Sequence, residues 1–450
     1  MGHRPSSLRV LVVHNIDHFP GAGAGAEGPP LTALAAGVVA APRADVVDVE
    51  NAAADVTKGL ERGGHRVERY GVDGRDLVPL LVRLREDPPD VVFNLCESLA
   101  GDARHEVVLP SLFELVGVPY TGSGPLALGL ALRKERAKEL LSARRVPTPQ
   151  AVCVADEREA AGIDLPFPLI VKPSREDASV GITTSSVVHD MESLRAAVAA
   201  VRVEFAQPAL VERYIEGREL YVSLLGNHLS PSPIGAAPGA LRHSSVEALP
   251  FHEIDFTDLP VGLPRIVSYA GKWDQSSAEF AGTRPMRCLI DDATRVRVER
   301  AARQAFVALG LADYARIDVR LAADGTPYVI DVNPNCDLSD GAGFSRAAGY
   351  GGYDYSALVE RVCRIALERY EHEQRSSRVP VDATLVLAGP GGGDRRSAPR
   401  LGDRPDLHPA AHVGGSSGPR RAGDGRLAVH SRRSGLRARA DRRRPRQSPR

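Results

Sequence analysis

Residues 315–334 have the types and spacing of a cation-binding hairpin. Asp324-Gly325 is a strong two-residue turn signal between two runs that alternate polar and apolar residues. With those two residues as the loop, Asp318 lies directly across from Asp331. Cross-strand neighbours have Cβ atoms about 4.5–5.5 Å apart, so two carboxylates there repel unless a cation lies between them or one is protonated. The pair therefore predicts a cation site.

Two more polar side chains share the face of this predicted carboxylate pair. Arg316 lies across from Asn333 in the same register. Oxygen ligands from two aspartates and Asn333 favour a hard ion such as Mg²⁺ or Mn²⁺, with waters and phosphate oxygens completing its coordination. The alternative is a solvated polar face on which Arg316 and Arg320 neutralise the acids. The opposite face is predicted to be apolar and to pair Ile317 with Val332, Val319 with Ile330, and Leu321 with Tyr328.

A short apolar strand within residues 165–182 ends in a lysine and a loop of small polar residues. The segment LPFPLIVKPSREDASVGI contains Lys172, followed by Ser174, Ser179 and Gly181. Small residues let backbone N–H groups approach phosphate oxygens, and a lysine reaches them as a point charge. The segment therefore predicts a phosphate-binding loop.

Two acidic residues interrupt strand-like runs farther along the chain. Residues 209–226 contain two such runs around Gly217, with Glu212 in the first and Glu219 in the second. These carboxylates are suited to accept hydrogen bonds from the sugar of a nucleotide or to lie near its base. The alternative is that each is a solvated strand residue.

Lysine is rare in this chain. Lys and Arg together number 57, and the only lysines are Lys58, Lys134, Lys138, Lys172 and Lys272. Where arginine is used almost everywhere else, a retained lysine indicates a site that needs a compact ammonium group.

The order of these motifs resembles the ATP-grasp superfamily, and specifically the D-alanine:D-alanine ligase family. The resemblance extends over about residues 90–370 through VPYTGSG, LRKERAKELL, IVKPSREDASVGI, VERYIEGRE, YAGKW, ARIDVRL and VIDVNPN. It implies an α/β fold of the ATP-grasp type, in which a small central domain and a C-terminal antiparallel-sheet domain clasp ATP.

The resemblance also implies roles for residues at the nucleotide. Lys134 and Lys172 would contact ATP phosphates, and Ser179 would belong to the mobile loop that closes over them. Glu212 would lie near the adenine and Glu219 on the ribose.

At the reacting end, the resemblance implies a lid loop that brings Lys272 to the γ-phosphate. Arg316 would stabilise the transition state. The implied Mg²⁺ ligands are Asp318, Asp331 and Asn333, the residues that the hairpin register indicates independently.

Three departures from the family affect the expected substrates. Val47 and Val49 stand where a Glu and a Ser of the family help to hold the first substrate's amino group. The segment NLCESLAGDARHE (94–106) replaces a histidine-glycine loop, and PNCDLSDGAGFSRAAGY after Asn333 lacks the usual serine-containing loop. ATP chemistry is therefore expected to carry over, whereas D-alanine is expected to be a poor first substrate. The alternative is that Asp45, Asp48 or Glu50 supplies the acidic group through a shifted register.

We predict three organised units and a tail. Residues 1–125 form an N-terminal parallel α/β domain with strands at 8–14, 66–72 and 90–96, and GAGAGAEGPP (21–30) is a linker rather than a dinucleotide-binding loop. Residues 126–225 form the central subdomain, with a helix around Lys134 and Lys138 and a small antiparallel sheet. Residues 226–372 form the C-terminal subdomain with the metal site and two closing helices, and 373–450 form a disordered Arg/Gly/Pro-rich tail.

Composition favours a soluble cytoplasmic enzyme. A hydrophobic content of 43% supports sizeable cores. No apolar run approaches the roughly 18–20 residues of a membrane span, and the N-terminus lacks the features of a signal peptide. The five cysteines are widely spaced without a C-x-x-C pair, which argues against a zinc or disulfide framework.

The net charge of zero hides a basic C-terminus. Residues 391–450 contain 16 Arg and no Lys against five Asp, so the rest of the chain is acidic. The alternative for such a basic tail is an arm that binds nucleic acid or a membrane surface. The tail has no interleaved aromatic residues to stack bases, so we expect a disordered extension with no nucleic-acid or membrane partner.

The expected activity is that of an ATP-dependent carboxylate-amine ligase that forms an amide or dipeptide bond through an acyl phosphate. Its partners would be a small-molecule carboxylate and an amine, and the resemblance implies a homodimer. Two alternatives remain: a ligase for another amino acid, a hydroxy acid or a natural-product intermediate, and a nucleotide-binding regulator without turnover. The intact set of Arg316, Asp318, Asp331 and Asn333 argues against the regulator.

Overall fold

The computed structural model describes residues 7–16, 44–228 and 245–377, all within one compact unit. The strands are β1 (Arg9–Asn15), β2 (Arg66–Val72), β3 (Val91–Asn94), β4 (Ala151–Val154), β5 (Leu169–Pro173), β6 (Val187–Val188), β7 (Ala209–Arg213), β8 (Arg218–Leu225), β9 (Glu247–Ala248), β10 (His252–Asp255), β11 (Arg284–Arg287), β12 (Tyr314–Leu321) and β13 (Pro327–Asn333). The helices are α1 (Ala44–Arg62), α2 (Val78–Glu86), α3 (Val108–Val116), α4 (Pro125–Leu132), α5 (Lys134–Ala143), α6 (Met191–Phe205), α7 (Tyr269–Trp273), α8 (Ala278–Ala281), α9 (Asp292–Ala308), α10 (Gly343–Tyr350) and α11 (Tyr355–Ser377). The predicted linker at 21–30 and the chain beyond residue 377 lie outside the described residues.

The N-terminal strands form a parallel sheet with a core on each face. The strand order is β2-β1-β3. Val10 and Val12 pack in the core shared with α1 and α11, whereas Leu11 and Val13 pack in the core shared with α2 and α3. Burial on both faces explains why β1 is a continuous apolar run. The three predicted strands are confirmed, although the third ends earlier, at Asn94.

The small antiparallel sheet predicted for the central region is present. Its strand order is β4-β7-β5-β6. Helix α6 covers one face, where Leu194 and Val198 pack with Val171 and Val211. Helix α5 carries the paired lysines, as predicted.

A six-stranded sheet forms the C-terminal half. The order is β11-β10-β8-β12-β13, and β9 pairs with β8. Helix α9 covers this sheet, with Val298 and Phe306 packed against Ile317 and Val319. Strand β8 belongs to this sheet, although the predicted boundary at residue 225 groups it with the central unit.

The hairpin β12–β13 has the predicted register at its chemically important end. Asp318 pairs with Asp331, and the pairs Arg316–Asn333 and Ile317–Val332 also form.

Nearer the turn the predicted register is wrong. Val319 pairs with Val329 instead of Ile330. Leu321 likewise pairs with Pro327 instead of Tyr328.

The turn explains this difference. The loop has three residues, because Ala322 N–H donates to Thr326 O and Gly325 takes the left-handed conformation with φ of 79°. Loops of this length commonly combine a turn with a left-handed residue. The pairing then shifts between Asp318 and Val319, where Ile330 is an extra residue on β13. The bulge cancels the shift caused by the loop.

A buried ion pair connects α11 to the rest of the fold. Asp313, 0% exposed, accepts hydrogen bonds from Arg369 at 3.0 and 3.1 Å and from the Gly122 N–H at 2.9 Å. Asn227 Nδ2 also donates to Asp313, at 2.9 Å. Helix α11 ends at Ser377 and so extends past the predicted start of the tail at residue 373.

Candidate active site

One cavity collects the side chains that were predicted to do chemistry. Its volume is about 1190 Å³, and residues of the small sheet, the large sheet and the N-terminal unit line it. All the predicted site residues line this cavity, namely Lys134, Lys172, Ser179, Glu212, Glu219, Lys272, Arg316, Asp318, Asp331 and Asn333. A cavity of this size with convergent polar groups is typical of a ligand site.

Arg316 holds Asp318 through two parallel hydrogen bonds. Arg316 Nε donates to Oδ1 at 2.7 Å, and Nη2 donates to Oδ2 at 2.9 Å. Asn333 Nδ2 donates to the same Oδ2 at 3.2 Å. Burial raises the pKa of Asp318, although the Arg316 guanidinium opposes the shift. The fork fixes the orientation of this carboxyl at the cavity wall.

Lys134 bridges Asp331 to the loop after β5. Its Nζ lies 3.1 Å from Asp331 Oδ1 and 2.9 Å from Asp177 Oδ1. Burial lowers the pKa of Lys134, but the two carboxylates more than offset this and leave the pKa above its ordinary value. For Asp331, burial raises the pKa, but Lys134 and Lys172 outweigh it and leave the pKa lowered. Asp331 therefore remains a carboxylate.

Glu212 lies between two buried lysines. Its Oε1 is 2.7 Å from Lys172 Nζ, and its Oε2 is 2.9 Å from Lys138 Nζ. Burial raises the pKa of Glu212, but Lys138 and Lys172 outweigh this and leave the pKa lowered. Lys172 Nζ also donates to the carbonyl of Ile330, the bulged residue, at 3.3 Å. The Lys172 ammonium is therefore fixed at the cavity wall from two sides.

Glu219 also has protein partners on both oxygens. Arg320 Nη2 lies 2.9 Å from Oε2, and the Tyr221 hydroxyl donates to Oε1 at 3.0 Å. The guanidinium of Arg316 lies over the Tyr221 ring, 4.7 Å from its centroid. The β8 side chains thus orient both the predicted ribose ligand and the predicted transition-state arginine.

The loop after β5 contacts the segment that carries Lys272. Trp273 Nε1 donates to the carbonyl of Ala178 at 3.0 Å, and Tyr269 N–H donates to Ile182 O at 2.8 Å. Lys272 Nζ lies 4.6 Å from the centre of the Trp273 ring. The two segments predicted to cover the phosphates therefore touch each other.

Comparison with known proteins gives the family. A family model described as "D-ala D-ala ligase C-terminus" matches residues 150–364. The D-alanine--D-alanine ligase of Stutzerimonas stutzeri is 30% identical over 318 residues, which cover 70% of this chain and 88% of that protein. The chain belongs to the D-alanine:D-alanine ligase family. This chain is also 34% identical over 322 residues to the "Uncharacterized protein y4sG" of Sinorhizobium fredii. The match covers 70% of this chain and 87% of that protein.

A solved structure agrees with the fold of the ligase. The crystal structure of the Bacillus anthracis D-alanine--D-alanine ligase complexed with ATP matches with a TM-score of 0.57 at 19% identity. The match covers 82% of this chain and 100% of that one. The predicted ATP-grasp architecture is confirmed. The ligase is an ATP-dependent enzyme of the class that forms C–N bonds.

Several site residues of the ligase were not predicted. Lys138 was counted among the retained lysines but was given no role; it follows Lys134 by four residues on one helix face, a spacing that signals a shared environment. The loop that was predicted to bind phosphate contains Asp177, which was not singled out. Tyr221 and Arg320 are positioned by the pairing of β8 with β12, which the sequence did not reveal. Glu106 is the last residue of the segment 94–106, which replaces the histidine-glycine loop of the family, and it lines the cavity.

The donor set of the ligase suits a hard divalent ion that has few protein ligands. Among the described residues, no group of three or more His, Cys, Asp or Glu side chains is arranged to hold a metal. Asp318 and Asp331 pair across the hairpin, beside Asn333, and supply only oxygen ligands. Such a set fits an ion whose other positions are taken by phosphate oxygens and water.

Proposed function

We propose that this ligase uses ATP to join the carboxylate of one amino acid to the amino group of another. The observation that supports it is the convergence, in one cavity, of buried lysines, the Arg316–Asp318 fork and the paired Asp331. We also propose that the enzyme is cytoplasmic and forms a homodimer.

The proposed reaction has two steps. A substrate carboxylate attacks the γ-phosphate of ATP and forms an acyl phosphate, with ADP as leaving group. The amine then attacks the acyl carbon and displaces phosphate, losing its proton as the amide forms. The acyl phosphate activates the carboxyl, so the chain needs no side-chain nucleophile.

The basic side chains act on the phosphates. Lys172 offers an ammonium fixed by Glu212 and by the Ile330 carbonyl, so little reorganisation is needed when the phosphoryl group moves. Lys134, shared between Asp331 and Asp177, would offer a second ammonium to the phosphate oxygens. Lys272 and Ser179 approach from the two contacting segments and exclude water.

Arg316 would stabilise the oxyanion of the tetrahedral intermediate. Its ion pair with Asp318 and its position over Tyr221 fix the direction of the guanidinium. Asp318, Asp331 and Asn333 would hold Mg²⁺, which when bound supplies positive charge against the transferring phosphoryl group. Glu212 and Glu219 would face the adenosine side of the cavity.

D-alanine is the first substrate to test. Two relatives at 30% identity carry the name D-alanine--D-alanine ligase, and this outweighs the expectation, drawn from Val47 and Val49, of a different substrate. Val49 is buried and lines the cavity, while the side chain of Val47 lies outside the described residues.

Phosphate release tests the proposal. Purified enzyme with Mg²⁺-ATP is assayed against D-alanine, L-alanine, D-lactate and other amino and hydroxy acids, and products are identified by mass spectrometry. We expect phosphate release that depends on an amino acid, together with a dipeptide product. ATP binding without turnover on any member of the panel would contradict the proposal and favour a regulator.

A further inference from the structure

The segment 94–106, which replaces the family's histidine-glycine loop, places the buried carboxyl of Glu106 at the cavity. Glu106 is 8% exposed, follows the 3-10 turn Ala103–His105 and lines the cavity. Asn335 Nδ2 donates to its Oε1 at 3.0 Å. Among the residues that the structure describes, none donates a hydrogen bond to Oε2. A buried carboxyl at a cavity wall, with one oxygen that no described residue donates to, is suited to a cationic ligand.

The surroundings of Glu106 are built to hold it still. Asn335 Nδ2 also donates to the Cys96 carbonyl at 3.0 Å, and the Tyr314 hydroxyl donates to Asn335 Oδ1 at 2.9 Å. The Asn335 amide is therefore satisfied on both ends. Because its orientation is fixed, the carboxyl that it binds is fixed as well. Burial raises the pKa of Glu106 well above its ordinary value, with Asp177 and Glu97 adding to the shift. A cationic ligand would reverse that penalty.

Glu106 lies within reach of the reacting end of the cavity. Asn335 follows the predicted metal ligand Asn333 by two residues, and Tyr314 precedes Arg316 by two residues. Along β12, the two residues from Tyr314 to Arg316 span about 7 Å. Pro334 and Asn335 form a turn, so the backbone of Asn335 lies no farther than this from Asn333. An α-amino acid with a hydrogen bond of about 3 Å at each end bridges a gap of that size.

Part of the cavity wall is apolar. Helix α4 packs against the turn that precedes Glu106, and its Leu128 and Ala131 line the cavity. Val49 and Ala52 of α1 line the same cavity. A small apolar side chain can pack against these residues.

We propose that Glu106 binds the ammonium group of the amino acid whose carboxylate is phosphorylated. This inference rests on the proposed ligase function and assigns the substrate-binding group for that same site. Selection of an amino acid over the corresponding hydroxy acid then depends on Glu106.

Glu106→Gln is the decisive variant. Glutamine keeps the size of the side chain and an oxygen that can accept from Asn335, but it removes the charge. The apparent KM for D-alanine and for D-lactate as carboxylate donors is measured at saturating Mg²⁺-ATP. We expect the preference for D-alanine over D-lactate to fall by at least about 30-fold, with the affinity for ATP unchanged. Glu106→Asp, which keeps the charge, is expected to retain part of the preference.

Glu97→Gln is the matched control. Glu97 lines the same cavity but is exposed, so water screens its charge, and we expect the preference to change by less than about threefold. Loss of the preference at Glu97 but not at Glu106 would overturn the proposal. An equal loss for both donors in Glu106→Gln would overturn it too, because it indicates a structural defect.

A binding measurement separates this proposal from the proposed function. Calorimetry follows D-alanine binding to wild type and Glu106→Gln in the presence of a non-hydrolysable ATP analogue. Weaker binding to the variant supports the proposal even if no donor gives phosphate release. Equal binding to both proteins, or none to wild type, overturns it.

Discussion

Lys172 illustrates, at the scale of one residue, why this arginine-rich chain keeps a few lysines. Its side chain is buried, and its ammonium fits between Glu212 and the Ile330 carbonyl. Lys134 and Lys138 are buried beside it, whereas Lys58 is exposed on α1. A compact ammonium fits in this space and is held from two sides, whereas the planar guanidinium of an arginine is too large for it.

Lys172→Arg should therefore impair activity even though the charge is retained. Overpacking of a buried site costs about 1–3 kcal/mol, so we expect kcat/KM for ATP to fall roughly tenfold to a hundredfold. Steady-state kinetics and circular dichroism test this, the latter to show that the fold survives. Lys58→Arg is the control and should have wild-type kinetics. Near-normal kinetics in Lys172→Arg would mean that the ammonium is not specifically required.

Asp331→Asn tests the cation site. The substitution keeps the shape of the side chain but removes the charge that faces Asp318, and we expect Mg²⁺-ATP to bind at least about tenfold more weakly. Calorimetry with ATP, with and without Mg²⁺, separates the contribution of the metal. Asp324→Asn, at the exposed turn of the same hairpin, is the control. Unchanged affinity and turnover in Asp331→Asn would remove the metal assignment.

At the scale of elements, the contact between the loop after β5 and the segment around α7 should control closure over ATP. Trp273→Phe keeps an aromatic ring near Lys272 but removes the donor to the Ala178 carbonyl. One lost hydrogen bond of about 1 kcal/mol corresponds to a rise of roughly fivefold in KM for ATP.

Steady-state kinetics measure this change. Tyr269→Phe is the matched control, because Tyr269 contacts the loop through its backbone nitrogen, which the substitution leaves in place. Equal KM values in Trp273→Phe and wild type would show that the contact does not contribute to closure.

The hairpin also shows how far sequence reasoning reaches. Alternation and the Asp-Gly turn located the Asp318–Asp331 pair, because the extra loop residue and the bulge at Ile330 cancel each other. The local pattern could not reveal either irregularity. Val329 therefore occupies the core position that was predicted for Ile330.

Contacts between distant segments were less predictable. The strand and loop patterns singled out Glu212 and Lys172, but their ion pair depends on how β5 and β7 pair. Glu106 meets Asn335 across 229 positions of sequence. No local periodicity encodes such a contact.

At the scale of the whole molecule, the buried pair Asp313–Arg369 should be a large contributor to stability. Arg369→Met would leave Asp313 buried without its counter-charge, and we expect a loss of about 3–5 kcal/mol in the free energy of unfolding. Chemical denaturation measures this. Arg361→Met is the control, because Arg361 and Glu368 form an exposed pair at 3.3 Å on the same helix, worth less than about 1 kcal/mol. Similar losses in the two variants would contradict the assignment.

Truncation after Ser377 should leave folding and ATP turnover intact. Within the described residues, the core side chains of α11 end near Leu367, and the sequence beyond residue 377 has little apolar periodicity. The melting temperature and the rate of phosphate release are measured for the full chain and for the chain truncated after Ser377. A large drop in melting temperature would show that the C-terminal segment contributes to the fold.

The contact made by Trp273 has an optical consequence. The chain contains 1 tryptophan, so the indole emission of the whole protein comes from the point where the loop after β5 meets the segment carrying Lys272. Any movement of these two segments changes the polarity around that single fluorophore. Stopped-flow fluorescence of the unmodified enzyme can therefore time closure over ATP without an attached dye.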